Sequence, residues 1–374
     1  MSQPKTVVVV GGTGFYGRYL VADVLRYTGA DVVVVARRPA RPAFADPRVR
    51  VVRADHADAA ALRRIVTDAA ALVHCAGPYQ TLPLGPAIAA IDAGVPYVDL
   101  AEDGPFRAAV LQRAATATAP VLTGASVVPA LQVIAVQDLA EGLDRVDEIR
   151  CAAAPDTRRH RGPAMFEAML RGVGVPFEAP RGGRPVRVHG WSEGEWVRFP
   201  PPVGRRLVHQ VYAMADLTVL AERFGAGTIS FKAGTEHAWL NRLLAAAATV
   251  RARTGRPRRA ELGTPAVRAM SWLAGRFGDE AGGFLVEVAG RRAGHPVRRA
   301  LGMTAARDGG RMPSLPAGIA VEEILAGRLS APGAAPLDAW LPPSRAWAAL
   351  AARGIDLWRD EAYPTAWRPA GPAR

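Results

Sequence analysis

A glycine-rich turn near the start of the chain has the spacing of an anion-binding site. It follows a run of four valines and precedes a segment with leucine and valine at helical spacing. Glycines let a backbone approach a phosphate closely, and the first N–H groups of a helix carry partial positive charge. The pattern therefore predicts a dinucleotide pyrophosphate site made of Gly11, Gly12, Thr13, Gly14, Phe15, Tyr16 and Gly17.

The residues after the second apolar run distinguish the two nicotinamide dinucleotides. An acidic residue there binds the ribose 2′-hydroxyl of NAD, whereas arginine accepts the 2′-phosphate of NADP. Arg37 and Arg38 directly follow Ala36, which favours NADP(H) over NAD(H). Asp55, after the third apolar run, is expected near the adenine. The nicotinamide end is expected at the loop after the fourth run, which consists of Ala76, Gly77, Pro78 and Tyr79.

Because the cofactor supplies the hydride, the protein must donate a proton to the substrate or stabilise a charge on it. The only lysines are Lys5 and Lys232, so the donor is expected to be His, Tyr, Asp or Glu. The candidates are His160 in an arginine-rich polar stretch and Tyr79 beside the nicotinamide loop. Glu102, after the fifth strand, is a further catalytic candidate, whose carboxylate could bond a substrate amine. The alternatives are a solvated histidine, a tyrosine ring that stacks on the cofactor, and a carboxylate that anchors a loop.

Several other polar residues are candidate ligands of a substrate carboxylate or amine. Asp99 is expected to have a structural role, in which its carboxylate holds the end of a strand in place. The remaining candidates, each with a surface role as the alternative, are Asp103, Arg205, Arg206, His237, Trp239, Asn241 and Arg242. The Tyr-x-x-x-Lys pair of short-chain dehydrogenases is absent, because Thr228 stands four residues before Lys232. That catalytic chemistry is therefore excluded.

Three further segments carry a resemblance to a known family. They are Cys75 to Tyr79, Ala93 to Glu102, and Gly124 to Pro129. Together they resemble the saccharopine dehydrogenase-like family, densely over about residues 1–130 and thinly afterwards. The resemblance implies a Rossmann domain, an inserted second α/β domain, a returning C-terminal segment and NAD(P)-dependent redox chemistry. Ala125 and Val127 depart from the family's turn, so substrate identity does not carry over.

The elements alternate regularly between strand and helix up to about residue 125, which predicts a doubly wound parallel sheet. The expected fold class is α/β, with an N-terminal Rossmann domain over 1–128. A second α/β domain with a mixed, largely antiparallel sheet is expected over 129–340, serving substrate binding and dimerisation. A C-terminal helix and tail over 341–374 is expected to pack back on the protein. The two domains are expected to share a cleft.

Composition limits the partners. The formal net charge is +13, but arginine is scattered along the whole chain, so nucleic-acid binding is not expected and an anionic small-molecule substrate is. Cys75 and Cys151 are the only cysteines, and the histidines lack metal-ligand spacing, so no metal is expected. No apolar run is long enough to span a bilayer. A cytoplasmic homodimer is expected.

These observations predict an NADP(H)-dependent oxidoreductase that reduces a C=N or C=C bond of a small metabolite. Two alternatives stay open. One is a catalytically silent NADP(H)-binding sensor or partner protein. The other is a redox-neutral enzyme with tightly bound NAD(P).

Overall fold

The computed structural model describes residues 5–37, 44–158, 170, 172–211, 217–254, 276, 278–364 and 366–370. The chain divides into two compact units. The first contains residues 1–131 and 311–341, and the second contains residues 132–310 and 342–374.

The first unit is built on a parallel sheet. Its strands are β1 (Thr6–Val10), β2 (Asp31–Ala36), β3 (Val49–Arg53), β4 (Ala71–His74), β5 (Tyr97–Asp99), β6 (Pro120–Leu122) and β15 (Gly333–Ala334). Their order is β15-β6-β5-β4-β1-β2-β3, and every pairing is parallel. The order reverses between β1 and β4, which is the position where doubly wound sheets bind ligands.

Within the described residues, five α-helices accompany this sheet. They are α1 (Phe15–Tyr27), α2 (Ala59–Val66), α3 (Gly85–Asp92), α4 (Gly104–Ala114) and α8 (Leu315–Leu325). The valines of β1 and β2 are at most 5% exposed, as expected for strands covered on both faces. The predicted doubly wound parallel sheet is confirmed.

A late segment of the chain completes the first unit. Helix α8 is apolar and mostly buried, and a side chain added at Gly318 would collide with Asp23 of α1. Lys5 Nζ donates to Leu325 O at 2.8 Å. The structure therefore groups residues 311–341 with the first unit. The predicted second domain, 129–340, included residues 311–340 and was wrong on this point.

The second unit contains a mixed sheet. Its strands are β7 (Arg145–Ala154), β10 (Glu195–Arg198), β11 (Arg205–Gln210), β12 (Thr228–Ala233), β13 (Gly282–Arg292), β14 (His295–Ala305), β16 (Asp356–Asp360) and β17 (Arg368–Pro369). The order is β10-β11-β12-β7-β13-β14-β16-β17, in which only β12 and β7 pair in parallel. The predicted mixed, largely antiparallel sheet is confirmed.

The described part of the second unit also contains a hairpin and four α-helices with defined bounds. The hairpin pairs β8 (Pro176–Arg181) with β9 (Arg184–His189). The helices are α5 (Gln132–Leu139), α6 (Leu217–Phe224), α7 (Ala238–Thr254) and α9 (Pro343–Ala352). After α9 the chain enters β16, which joins the sheet beside β14, so the C-terminal segment contains sheet strands as well as the predicted helix. No helix in the described part of the chain has the length and hydropathy to cross a bilayer.

Candidate functional site

The glycine turn between β1 and α1 gives each glycine a separate role. A Cβ on Gly12 would meet Val34 at 2.9 Å, and one on Gly17 would lie 2.6 Å from the Gly12 Cα. These two glycines therefore let the turn and the first turn of α1 pack closely. Leaving aside Gly14 itself and its two chain neighbours, the only described atom within 4 Å of a Cβ on Gly14 is Gly11 O, at 3.1 Å. Gly14 thus leaves an exposed backbone surface at the start of the helix.

The end of β2 adjoins this turn, because Gly11 N donates to Val35 O at 3.0 Å. Arg37 follows β2 and is exposed, and no acidic residue stands there. Arg38 lies outside the described residues. Asp55 is exposed after β3, and its carboxylate accepts a hydrogen bond from Ala57 N at 2.9 Å. Ala54 N donates to Ala36 O at 3.3 Å, so Asp55 stands close to the end of β2.

The loop after β4 also touches the glycine turn. A Cβ on Gly11, whose φ is +82°, would lie 2.6 Å from Ala76 N. Gly77 and Pro78 are exposed at the carboxyl end of β4. The structure therefore brings the predicted pyrophosphate turn and the predicted nicotinamide loop together at the point where the strand order reverses. The described residues fit a dinucleotide.

Tyr79, the last residue of this loop, is buried, with 6% of its surface exposed. Its hydroxyl donates to His74 O at 2.7 Å and accepts from Leu100 N at 3.2 Å. Burial raises the pKa of this hydroxyl well above its usual value, and the charge of Asp99 adds to the effect. Tyr79 thus links the ends of β4 and β5, and its proton is already engaged by a carbonyl.

His74 and Asp99 form a buried polar layer beneath the strand ends. His74 Nδ1 lies 3.3 Å from the Tyr97 hydroxyl, and burial lowers the pKa of His74 to about 3. Asp99 Oδ1 accepts from Gly124 N at 2.8 Å and from Ala101 N at 2.9 Å. Burial raises the pKa of Asp99 while these hydrogen bonds oppose the rise. Asp99 therefore ties the loops after β5 and β6 together.

Glu102 follows this layer on the loop after β5 and is half-buried. Desolvation raises the pKa of Glu102 to about 7, and the charges of Asp103 and Asp99 act in the same direction. A hydrogen bond from the Gln80 side chain opposes the rise. A carboxyl group with this pKa exists in both protonation states near neutrality, as a proton donor or acceptor requires. Asp103 instead caps α4, since its carboxylate accepts from Phe106 N at 2.9 Å.

The remaining sequence candidates lie in the second unit. His160 lies outside the described residues. Asn241 is fully buried, and its side chain bonds Thr235 and Leu207 O, which makes it structural. Arg205 lies over the Trp196 ring with its Cζ 5.0 Å from the centroid. Arg206 NH2 lies 3.5 Å from Asp279 Oδ2.

A charged cluster on the second sheet was not singled out from the sequence. Lys232 Nζ lies 2.8 Å from Glu195 Oε1. Arg150 pairs with Glu195, and its NH1 lies 3.5 Å from Glu287 Oε2. These four side chains join β7, β10, β12 and β13 through opposite charges. A lysine between Phe231 and Ala233 in an apolar strand is the signal that could have revealed it. Among the described residues, no group of three or more His, Cys, Asp or Glu side chains could hold a metal ion.

Comparisons with known proteins agree with this geometry. A family model for the NAD dependent epimerase/dehydratase family matches residues 7–85, which include the turn, the end of β2 and the loop after β4. The probable mitochondrial saccharopine dehydrogenase-like oxidoreductase of Arabidopsis thaliana is 26% identical over 117 residues. That match covers 27% of this chain and 26% of the relative, so it spans about a quarter of the relative's length.

Solved structures extend the likeness beyond the first unit. Apo saccharopine dehydrogenase (L-Glu forming) from Saccharomyces cerevisiae superposes with a TM-score of 0.67 at 15% identity, covering 95% of this chain and 99% of that one. An engineered D-amino acid dehydrogenase bound to NADP+ gives a TM-score of 0.50 at 15% identity, covering 90% and 94%. The resemblance to saccharopine dehydrogenase-like proteins is confirmed. At these identities the structural likeness shows a shared α/β fold.

Proposed function

We propose that this chain is an NADP(H)-dependent oxidoreductase that reduces a C=N or C=C bond of a small metabolite. The proposal rests on two features that lie at the same edge of the first unit's sheet. A glycine turn open to a phosphate and a carboxyl group with a pKa of about 7 both lie at the carboxyl edge of one parallel sheet. The match of residues 7–85 to an NAD dependent family supports the cofactor class.

In this proposal the first unit binds the cofactor along the carboxyl ends of β1, β2 and β4. Backbone N–H groups at the start of α1 bind the pyrophosphate. Arg37 supplies positive charge for the 2′-phosphate, and no acid at the end of β2 opposes it. When bound, the reduced nicotinamide supplies a hydride.

Glu102 is the proposed proton donor. Its protonated carboxyl gives a proton to the substrate atom at the other end of the double bond, so that one hydride and one proton saturate it. The carboxylate that remains regains its proton from solvent, to which the half-buried side chain has access. Tyr79 fits this role less well, because its hydroxyl proton is held by His74 O. Tyr79 is instead proposed to position the segment that carries Glu102.

The first experiment is a titration of the purified protein with NADPH and NADH, followed by absorbance assays with imines and enones. We expect tighter NADPH binding and turnover on one substrate class. NADPH binding without any turnover would favour the silent binding protein or the redox-neutral enzyme. Absence of dinucleotide binding would overturn the proposal.

The proton donor is tested by Glu102→Gln. We expect reduction to slow by about 10²–10⁴-fold and its fall with rising pH above about 7 to disappear. Glu178→Gln is the matched control, because Glu178 is exposed on β8 of the second unit. Retention of the same pH profile in the Glu102→Gln variant would assign the proton to another group. A cytoplasmic location, a homodimer and the absence of nucleic-acid binding stay predictions, and light scattering tests the dimer.

A further inference from the structure

Arg18, in the first turn of α1, folds back onto the glycine turn. Its Nε donates to Thr13 O at 3.1 Å, and the side chain is exposed. This bond holds the guanidinium plane beside the turn instead of letting the side chain extend into solvent. The long arginine side chain thereby loses part of its conformational freedom before any ligand arrives.

The two Nη groups of this guanidinium are the donors that a ligand could use. Among the described residues, no acceptor is assigned to the two Nη atoms of Arg18, and the first turn of α1 contains no acidic residue. An arginine held through Nε presents its Nη groups as a fork that suits two oxygens of a phosphate. Arg37 is likewise exposed.

The location of Arg18 indicates which phosphate it would bind. Thr13, its anchor, lies two residues after Gly11, whose N–H is bonded to Val35 O at 3.0 Å. Arg37 lies two residues after Val35. The end of β2 is where dinucleotide-binding folds recognise the 2′ position of the adenosine ribose. The turn that anchors Arg18 and the strand that precedes Arg37 thus meet at the hydrogen bond from Gly11 N to Val35 O.

We infer that Arg18 and Arg37 together form a clamp for the 2′-phosphate of NADP(H), so that cofactor choice depends on a helix residue as well as on the end of β2. This inference rests on the proposed function, because it needs a dinucleotide on the turn. It concerns binding alone and requires no particular substrate.

The test compares ligands that differ by the 2′-phosphate. Calorimetry measures the binding of NADPH, NADH, 2′,5′-ADP and 5′-AMP to the full chain. We expect Arg18→Ala to weaken NADPH and 2′,5′-ADP binding by about 10- to 100-fold, the range of a charge-assisted hydrogen bond. NADH and 5′-AMP affinities should change by less than about twofold, because they lack the group that the clamp binds.

Two variants act as controls. Arg26→Ala removes the same charge from the last turn of α1, where Arg26 is exposed, and should leave all four affinities unchanged. Arg18→Gln retains polar donors without the charge and should still lose NADPH affinity, which covers the case in which the alanine variant does not fold.

The outcomes separate this inference from the proposed function. Equal loss of NADPH and NADH affinity would show that Arg18 braces the turn or binds the pyrophosphate, and would overturn the clamp. Unchanged NADPH binding in a folded Arg18 variant would also overturn it. Failure of the unmodified protein to bind either dinucleotide would instead overturn the proposed function itself.

Discussion

The burial of Glu102 makes the free energy of unfolding depend on pH, and this dependence can be measured without an activity assay. Desolvation raises its pKa from 4.5 to about 7, so the folded chain holds a proton between these values that the unfolded chain has released. The stability from this proton is fully present below about pH 4.5 and is lost as the pH rises through about 7. Above pH 7 the folded state contains a poorly solvated carboxylate.

We therefore expect Glu102→Gln to raise the free energy of unfolding at pH 8 by up to about 3 kcal/mol. At pH 4 the change should be small, because both side chains are then neutral. Urea denaturation at the two pH values measures the difference. A gain of equal size at both would mean that packing, and not ionisation, is the cause.

Tyr79 offers the contrasting single-residue case. Tyr79→Phe removes the acceptor of Leu100 N and the donor to His74 O. Because a buried donor without an acceptor costs about 1–3 kcal/mol, we expect a destabilisation of that size in thermal or urea unfolding. The dependence of reduction on pH near 7 should survive, since Glu102 is the proposed donor. Loss of that dependence with an unchanged melting temperature would make Tyr79 the proton donor.

At the scale of elements, the turn between β1 and α1 contains one glycine expected to matter mainly for stability, Gly17, and one expected to matter mainly for ligand binding, Gly14. Gly17→Ala places a Cβ against the backbone of the turn, so we expect destabilisation of about 2–4 kcal/mol. Gly14 has a φ of −71° and open space beyond Gly11 O, so alanine there should cost less than about 1 kcal/mol.

Binding should show the opposite contrast. The methyl group of Gly14→Ala would occupy the space in which the pyrophosphate approaches the backbone, so NADPH affinity should fall by at least about tenfold. Calorimetry beside thermal unfolding measures both quantities. Wild-type NADPH affinity in the Gly14→Ala variant would place the ligand elsewhere.

The elements that sequence reasoning predicted are those whose pattern reflects local burial. The valine runs of β1 and β2 are covered on both faces, and continuous apolar runs indicate this. Strands β11 and β16, RRLVHQ and DLWRD, carry charges and short apolar stretches. β14, the partner of β16, comes from a distant part of the chain. β11 pairs with the nearby β10 and β12, so in β11 the two leading arginines obscured the strand pattern.

In the candidate site too, the sequence predicted only those features that a local pattern determines. The glycine spacing predicted the turn because backbone geometry requires those residues there. The pKa of Glu102 depends on tertiary burial and on neighbours such as Gln80, which no local pattern reveals. The anchor of Arg18 on Thr13 depends on a side-chain conformation, so Arg18 does not stand out from the other arginines in the sequence.

At the scale of the whole molecule, the first unit depends on residues 311–341. Helix α8 buries eight of its eleven residues, and a Cβ on Gly318 would overlap the Asp23 carboxylate of α1. Strand β15 extends the sheet by pairing in parallel with β6. The sequence of α8 is mostly apolar, but composition alone does not specify which sheet covers the helix.

A fragment containing only residues 1–131 should therefore be defective. Without α8 it exposes the apolar surface that this helix covers, and we expect aggregation or a loosely packed state that binds a hydrophobic dye. Joining residues 1–131 to 311–341 through a flexible linker restores that cover, so the joined chain should unfold cooperatively and bind NADPH. Circular dichroism, dye binding and calorimetry measure the difference. Cooperative unfolding of 1–131 alone, with NADPH affinity equal to that of the joined chain, would show that α8 is dispensable, because burying its apolar face would then contribute nothing that the sheet requires.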